Sequence, residues 1–137
     1  MRILIDTDVL LDVALRREAF FSASKAVLDW AEGAPGQAAV AWHSLSNVVY
    51  MTKASGKEFL SDLLEFTEVA NVGTSDAKRA FGFPMDDLED ALQAASAVAF
   101  GASFLVTRNL KHYRKSPVSA ISPMQFLAKA KTRMTHY

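Results

Sequence analysis

The stretch DLEDALQAAS (Asp87–Ser96) puts three acids within four residues, directly ahead of a segment rich in alanine and poor in charge. Over a helix from Asp86 to Phe100, Leu88, Ala91, Leu92, Ala95 and Ala99 make the main apolar stripe, and Ala94 and Ala97 fill much of the opposite side. Past its first turn such a helix is apolar nearly all round, the pattern of a buried helix. Asp87 and Asp90 are three apart and Asp86 and Asp90 four apart, so both pairs are neighbours on the helix surface, whereas Glu89 projects about 100° from Asp90. Acids in a first turn gain roughly 0.3–1 kcal/mol from the helix dipole, and capping alone accounts for Asp86 or Asp87. Asp90 stands where the helix enters the core. Carboxylates crowded there repel, and an unpaired buried charge costs several kcal/mol. Arginine partners or a hard divalent cation would relieve this, and carboxylates suit magnesium or manganese.

Elements must exist to bring other groups to those acids. Arg2–Ile5 reads as a short buried strand ending at Asp6, followed by a helix over 9–16. Ser22 can cap a second helix that stops at Gly33, and 38–42 reads as a second strand. Ser44 or Ser46 opens a helix ended by Gly56, and 57–67 has helical spacing of Leu60, Leu63, Leu64 and Thr67. A weak strand is expected over 69–72, a short helix from a Ser75 cap to Phe81, then the helix over 86–100 stopped by Gly101. Strands follow at 103–107 and 118–121, and Ser122-Pro123 opens a last helix to about Lys131, with frayed residues after it. Alternating strands and helices predict an α/β fold with helices on both sides of a central parallel sheet, a three-layer α/β/α arrangement. No linker or repeat divides the chain, so residues 1–137 read as one domain. In such sheets the site lies beyond the carboxyl ends of the strands. This selects Asp6 and Asp8, His43 and Ser44, and Arg108 and Asn109.

Charge follows the same division. The net charge is zero, but all 15 acids and 8 of the 15 basic residues lie in 1–90, giving −7, while the other 7 basic residues and no acid lie in 91–137, giving +7. Such asymmetry fits an anionic partner, or equally a solvated basic face with cations near helix C-termini. The absence of cysteine excludes disulfides, thiol nucleophiles and cysteine–zinc sites. The N-terminal apolar run is interrupted by acids, and no run reaches the roughly eighteen residues of a membrane span. A cytoplasmic protein with no membrane association is expected. Phe20-Phe21, Trp30 and Trp42 read as packing residues, and His43, His112 and His136 lack the spacing of a zinc site.

Three segments, ILIDTDVLLD near the start, DLEDALQAASAVAFGASFLVTRNLKHY in the second half and AISPMQFL near the end, resemble the PIN domain. This is a small α/β metal-dependent nuclease fold that includes the VapC toxins of bacterial toxin–antitoxin pairs. The resemblance spans essentially the whole chain and is closest to the subgroup with Asp-x-Glu-Asp and Thr-Arg-Asn. It implies a ribonuclease, with RNA as substrate, an antitoxin protein as partner and a homodimer as assembly. It implies that Asp6 and Asp90 hold Mg²⁺ or Mn²⁺, and that Asp87 or Glu89 ligates or orients a metal-bound water. Thr107 and Asn109 would hydrogen-bond that water or the phosphate, and Arg108, Lys111, Arg114 and Lys115 would hold the nucleic-acid backbone. Two positions depart from the family pattern. Asn47 stands where a Glu is frequent, and Asn109 where the family often has Asp. An amide oxygen can ligate a hard cation but adds no charge.

Other readings remain at this point. Arg108 could merely pair with Asp87 or Glu89. Asn47 and Asn109 also fit a PIN fold without catalysis, acting as an RNA-binding or interaction module. IDTDVLLD additionally matches the first motif of haloacid-dehalogenase-like phosphatases, in which Asp6 would be the phosphoryl acceptor and Asp8 its acid/base. That family needs a strand ahead of Asp86, and FGFPM is a poor one.

Overall fold

A computed structural model describes residues 1–135; His136 and the last of the residues expected to fray lie outside the described residues. Strands β1 (Ile3–Ile5), β2 (Ala38–Val40), β3 (Glu68–Val69), β4 (Phe104–Val106) and β5 (Ala120–Ile121) form one parallel sheet in the order β3-β2-β1-β4-β5. Helices α1 (Thr7–Ala14), α2 (Phe21–Glu32), α3 (Trp42–Thr52), α4 (Gly56–Leu63), α5 (Thr74–Phe81), α6 (Leu88–Phe100) and α7 (Pro123–Thr135) connect and follow them. The expected α/β arrangement is therefore present. Among the described residues no helix is long and apolar enough to cross a membrane.

The strands are only two or three residues long, and their alternation still separates two layers. Ile3, Ile5, Val40, Val106 and Ile121 point to one face and pack with Val9 and Leu10 of α1, Val27 and Leu28 of α2 and Phe126 of α7. Leu4, Ala39 and Leu105 point to the other and meet Ala97 and Phe100 of α6, with Tyr113 and Val118. On the far side of α6, Ala91 and Ala95 pack on Ala80 of α5. Alanine on both sides is what lets α6 lie close to the sheet and to α5 at once.

The chain runs β1, β2, β3 outward in one direction, then returns to place β4 on the other side of β1. The gap between the ends of β1 and β4 is thus the point where strand order reverses, where open α/β sheets leave a crevice. Sheet hydrogen bonding continues one residue into it. Asp6 N–H donates to Val106 O at 3.0 Å and Thr107 N–H to Ile121 O at 3.0 Å.

Several boundaries differ from the sequence reading for local reasons. β2 stops at Val40 because α3 begins at Trp42, with Ala41 as an extended cap, so neither Ser44 nor Ser46 caps it. Ser44 is instead wholly buried. α2 starts at Phe21 without a side-chain cap, and α5 starts after Gly73, whose N–H donates to Asp76 Oδ2 at 2.9 Å. Gly56 begins α4 rather than ending α3. It lies against Thr52 and the Val49 backbone, leaving no room for a Cβ. Residues 82–87 form no strand, which removes the phosphatase alternative.

Gly101 ends α6 in the left-handed region, at φ +75°. A Cβ there would meet nothing closer than the Arg2 guanidinium at 3.6 Å, so substitution is penalised by conformation rather than by crowding. Gly101→Ala should lower the unfolding free energy by about 1–2 kcal/mol, measured by urea titration, with Gly101→Asn costing less.

Candidate metal and active site

The crevice beyond β1 and β4 holds Asp6, which is 6 % exposed and caps α1. Its Oδ1 accepts the Thr7 N–H at 2.7 Å. Its Oδ2 accepts the hydroxyls of Thr107 at 2.8 Å and Tyr113 at 3.2 Å. Burial raises the Asp6 pKa, the Asp8 charge raises it further, and the three hydrogen bonds only partly offset them, leaving it at about 7. Asp8, in the first turn of α1, accepts the Arg108 N–H at 2.9 Å and the Thr107 hydroxyl at 3.3 Å, both on Oδ2. Its Oδ1 is buried without a hydrogen-bond partner. Burial raises this pKa too. Thr107 has a single proton to offer and two carboxylates beside it.

Asp90 enters from α6. Its Oδ1 accepts the same Tyr113 hydroxyl at 3.3 Å, and its Oδ2 faces His112 Nδ1 at 3.2 Å. Burial and then the Asp87 charge raise its pKa. Tyr113 is almost wholly buried, and burial with the Asp6 charge pushes its pKa up, so it stays a neutral donor between the two acids. The two arms of 3.2 and 3.3 Å cap the separation of the Asp6 and Asp90 oxygens at about 6.5 Å, a span that ions about 4 Å apart can bridge.

Asp6, Asp8 and Asp90 line a cleft of about 310 Å³ together with Thr7, Arg17, Asn47, Glu89 and Asn109. Asn47 Nδ2 donates to Glu89 Oε1 at 3.1 Å. Asn109 donates its N–H to Thr107 Oγ1 at 3.0 Å. Both amides therefore stand beside the acids, as their place in the motif implied. Asp87 does not line the cleft. Its Oδ1 accepts the Asp90 N–H at 3.1 Å as the N-cap of α6, so the capping reading describes it and its charge reaches Asp90 only through space.

Arg108 also differs from expectation. Its Nε and Nη2 grip Asp12 at 2.7 and 2.9 Å, and its guanidinium lies 3.7 Å over the Phe20 ring. Asp12 is fully buried and also accepts from Ser24 at 2.9 Å, with Arg17 at 3.6 Å. The partner is Asp12, not Asp87 or Glu89, and this fork is not free for phosphate. Lys111, Arg114 and Lys115 do gather, lining a groove of about 270 Å³ with Asp86 and His112. Since His112 faces Asp90, the basic groove adjoins the acid cleft. His43 lines a separate recess with Trp42, and burial lowers its pKa. Trp30 packs edge-on against Phe126, but Trp42 is 69 % exposed, so it is not the core residue the sequence suggested.

Tyr113, Asp12, Arg17 and Gln93 were not singled out by sequence. Asp8 and Asp12 are four apart on one helix, a spacing that puts both on one face and could have flagged Asp12. Nothing in the spacing marks Tyr113, whose role comes from the turn after β4.

Among the described residues, no three acidic or histidine side chains close around one point. The donor set nevertheless fits a hard cation. Mg²⁺ is commonly held by one or two carboxylates and keeps several waters, and the cleft offers a buried and a half-buried carboxylate that repel each other, the second with one buried, unpartnered oxygen.

A family model described as PIN domain matches residues 2–111. No curated protein matches the chain. Among solved structures, VapBC2 from Rickettsia felis, bound to a DNA fragment from their promoter, superposes with a TM-score of 0.67 at 17% identity, covering 89% of this chain and 98% of that one. A toxin–antitoxin complex from Klebsiella pneumoniae gives 0.66 at 22% identity, covering 88% and 97%. At these identities the likeness is one of fold.

Two outcomes follow from this geometry. A carboxyl whose folded pKa is raised stabilises the fold only while protonated, so metal-free stability should be full below pH 3.8 and fall as pH rises through about 7. Asp6→Asn should remove much of that slope and be the more stable protein at pH 8, as read by urea titrations at pH 5 and pH 8. Arg108→Ala leaves Asp12 buried without its main partner and should destabilise by roughly 3 kcal/mol.

Proposed function

We propose that this chain, which belongs to the PIN domain family, is a divalent-metal-dependent ribonuclease acting as the toxin of a toxin–antitoxin pair. The observation that carries the reading is the placement of Asp6 and Asp90 on one Tyr113 hydroxyl, with the unpartnered Asp8 Oδ1 in the same crevice. Asp6 and Asp90 would hold Mg²⁺ or Mn²⁺, with the charge of Asp8 beside them. The ion would supply a positive charge that acidifies water and offsets the charge gained by the phosphodiester.

The chain's own residues do the rest. Tyr113 and Thr107 keep Asp6 in place by donating to Oδ2, and Asp87 fixes the start of α6 and so the backbone of Asp90. Glu89, held by Asn47 and lining the cleft, would be the acceptor for the attacking water. Asn109 faces the same space with an amide able to meet either water or phosphate. Lys111, Arg114 and Lys115 take the RNA backbone leading to the scissile bond. Of the two similar structures, the one from Klebsiella pneumoniae is a toxin–antitoxin complex, and the one from Rickettsia felis is VapBC2 on its promoter DNA. An antitoxin protein is therefore the partner this reading implies, along with a second copy of the chain. Exposed Trp42, Tyr50 and Met51 give α3 an apolar surface suited to such contacts. The reading places the protein in the cytoplasm, where RNA is available.

One specific observation favours a second reading. Asn47 and Asn109 bring neutral amides where the family often brings acids, which fits a PIN fold that binds RNA without cutting it. A cleavage assay on RNA with Mn²⁺ separates the two. Cleavage should require the metal and fall by more than about 100-fold in Asp90→Asn, beyond the range of an outer-shell change. RNA retention without metal-dependent cleavage in the wild-type protein would establish the binding module instead.

A further inference from the structure

Beneath the acid cleft, the alanine-rich α6 carries one polar side chain that packing does not require. Gln93 is 1 % exposed, between Ala91, Ala94 and Ala97. Its Nε2 lies 2.9 Å from Thr7 Oγ1 and 2.8 Å from Ser44 Oγ, donating to both, and the two hydroxyls share a hydrogen bond at 2.7 Å. Thr7 and Ser44 are themselves buried. Burying an amide and two hydroxyls is unfavourable unless every group is satisfied, and Gln93 Oε1 has no partner. An unbranched apolar side chain would fill the same volume without that penalty. The amide does supply a fixed location.

Each of the three groups stands a short rigid step from a residue of the cleft. Thr7 follows Asp6 and donates its N–H to Asp6 Oδ1 at 2.7 Å. Ser44 precedes Asn47 by three residues on α3, and Gln93 follows Asp90 by three on α6, so each pair shares a helix face. We propose that Gln93 is a positioning residue of the acid site, tying α6 to α1 and α3 at one point and so setting how far Asp90 and Asn47 stand from Asp6. This rests on the reading of the cleft as a metal-dependent site. A hard cation with near-octahedral demands rewards that fixity, because carboxylates that drift apart cannot share its coordination.

The variant Gln93→Met keeps the side-chain length and removes the donor, and Gln93→Leu serves as a second, shorter apolar replacement. Three measurements on the metal-free and Mn²⁺-loaded protein decide the matter. Amide hydrogen exchange should speed up at Thr7 by about 10-fold, while the Asp6 N–H, bonded to Val106 O in the sheet, should exchange as in the wild type. Calorimetric titration should show the Mn²⁺ dissociation constant rising about 10–100-fold, the range for groups that orient ligands. The melting temperature should stay close to that of the wild type, because Thr7 and Ser44 can still bond each other.

Unchanged Thr7 exchange with unchanged Mn²⁺ affinity would overturn the proposal. So would a lower melting temperature with Mn²⁺ affinity intact, which would make Gln93 a packing residue only. If the wild-type protein takes up no Mn²⁺, the metal reading fails, and Thr7 exchange alone still decides whether Gln93 holds the residue beside Asp6.

Discussion

Asp6 keeps a carboxylate almost out of water at the reversal point of the sheet, and two of the three donors that make this tolerable come from a distant part of the chain. Thr7 contributes a backbone N–H, Thr107 a hydroxyl from the end of β4, and Tyr113 a hydroxyl from the turn that follows. The two hydroxyls cannot be supplied until β1 and β4 lie side by side, so closing the crevice and completing the Asp6 hydrogen bonds are one event. The satisfaction is incomplete, since burial and the Asp8 charge outweigh three hydrogen bonds and leave the pKa near 7. The fold therefore holds a group that is uncomfortable as an anion in the absence of a cation. That is the expected state of a site whose charge is balanced from outside the chain.

The acids of α1 divide into two kinds. Asp12 points away from the cleft into the layer between α1 and α2, where the Arg108 fork, Ser24 and Arg17 surround it. Asp8, one turn earlier, receives the Arg108 N–H and a share of the Thr107 proton, and no guanidinium fork. Arg108 thus serves both, its side chain neutralising Asp12 and its backbone orienting Asp8. Phe20 lies under the guanidinium plane and limits its freedom. A bidentate arginine on a buried carboxylate is a rigid contact, and here it anchors the segment after β4 to α1. The charge left unneutralised is the charge that faces the cleft.

The legible part of this molecule was the part that depends on period and on short-range chemistry. The alanine pattern of 86–100 marked a buried helix, Gly101 its end, and the short apolar runs ending at Asp6 and at Thr107 marked strand ends. Placement of Asp6, Asp90, Asn47 and Asn109 around one space followed from those elements and the resemblance. What was not legible depends on which distant side chain reaches which. Arg108 has acids available on α6 and on α1, and only the packing of α1 against α2 brings Asp12 into its reach. Tyr113 looks like any aromatic beside a basic run until the turn after β4 folds it inward. Gln93 has no feature in the sequence that singles it out, and Trp42 reads as a packing residue. The first gains its meaning from Ser44 on another helix, and the second lies outside because α3 starts at Trp42 itself, ahead of both serines.

The neutral amides at Asn47 and Asn109 look like losses when the acids of the family pattern are counted, and the structure changes that count. Asp8, which the metal-ligand assignment left out, lies in the cleft, and Glu89 and Asp90 both line it. Four carboxylates are already present with Asp6, three of them raised in pKa by burial first of all. A glutamate at position 47 would set a second negative group against Glu89, where the amide now donates at 3.1 Å. An aspartate at 109 would stand next to Thr107, whose single proton is already divided between Asp6 and Asp8. In the cation-free protein each replacement would add repulsion where desolvation is already unfavourable. Neutral side chains at these two positions therefore let the chain crowd Asp6 and Asp8 more closely than a full set of acids would permit, while keeping amide oxygens and N–H groups within reach of a phosphate or a water.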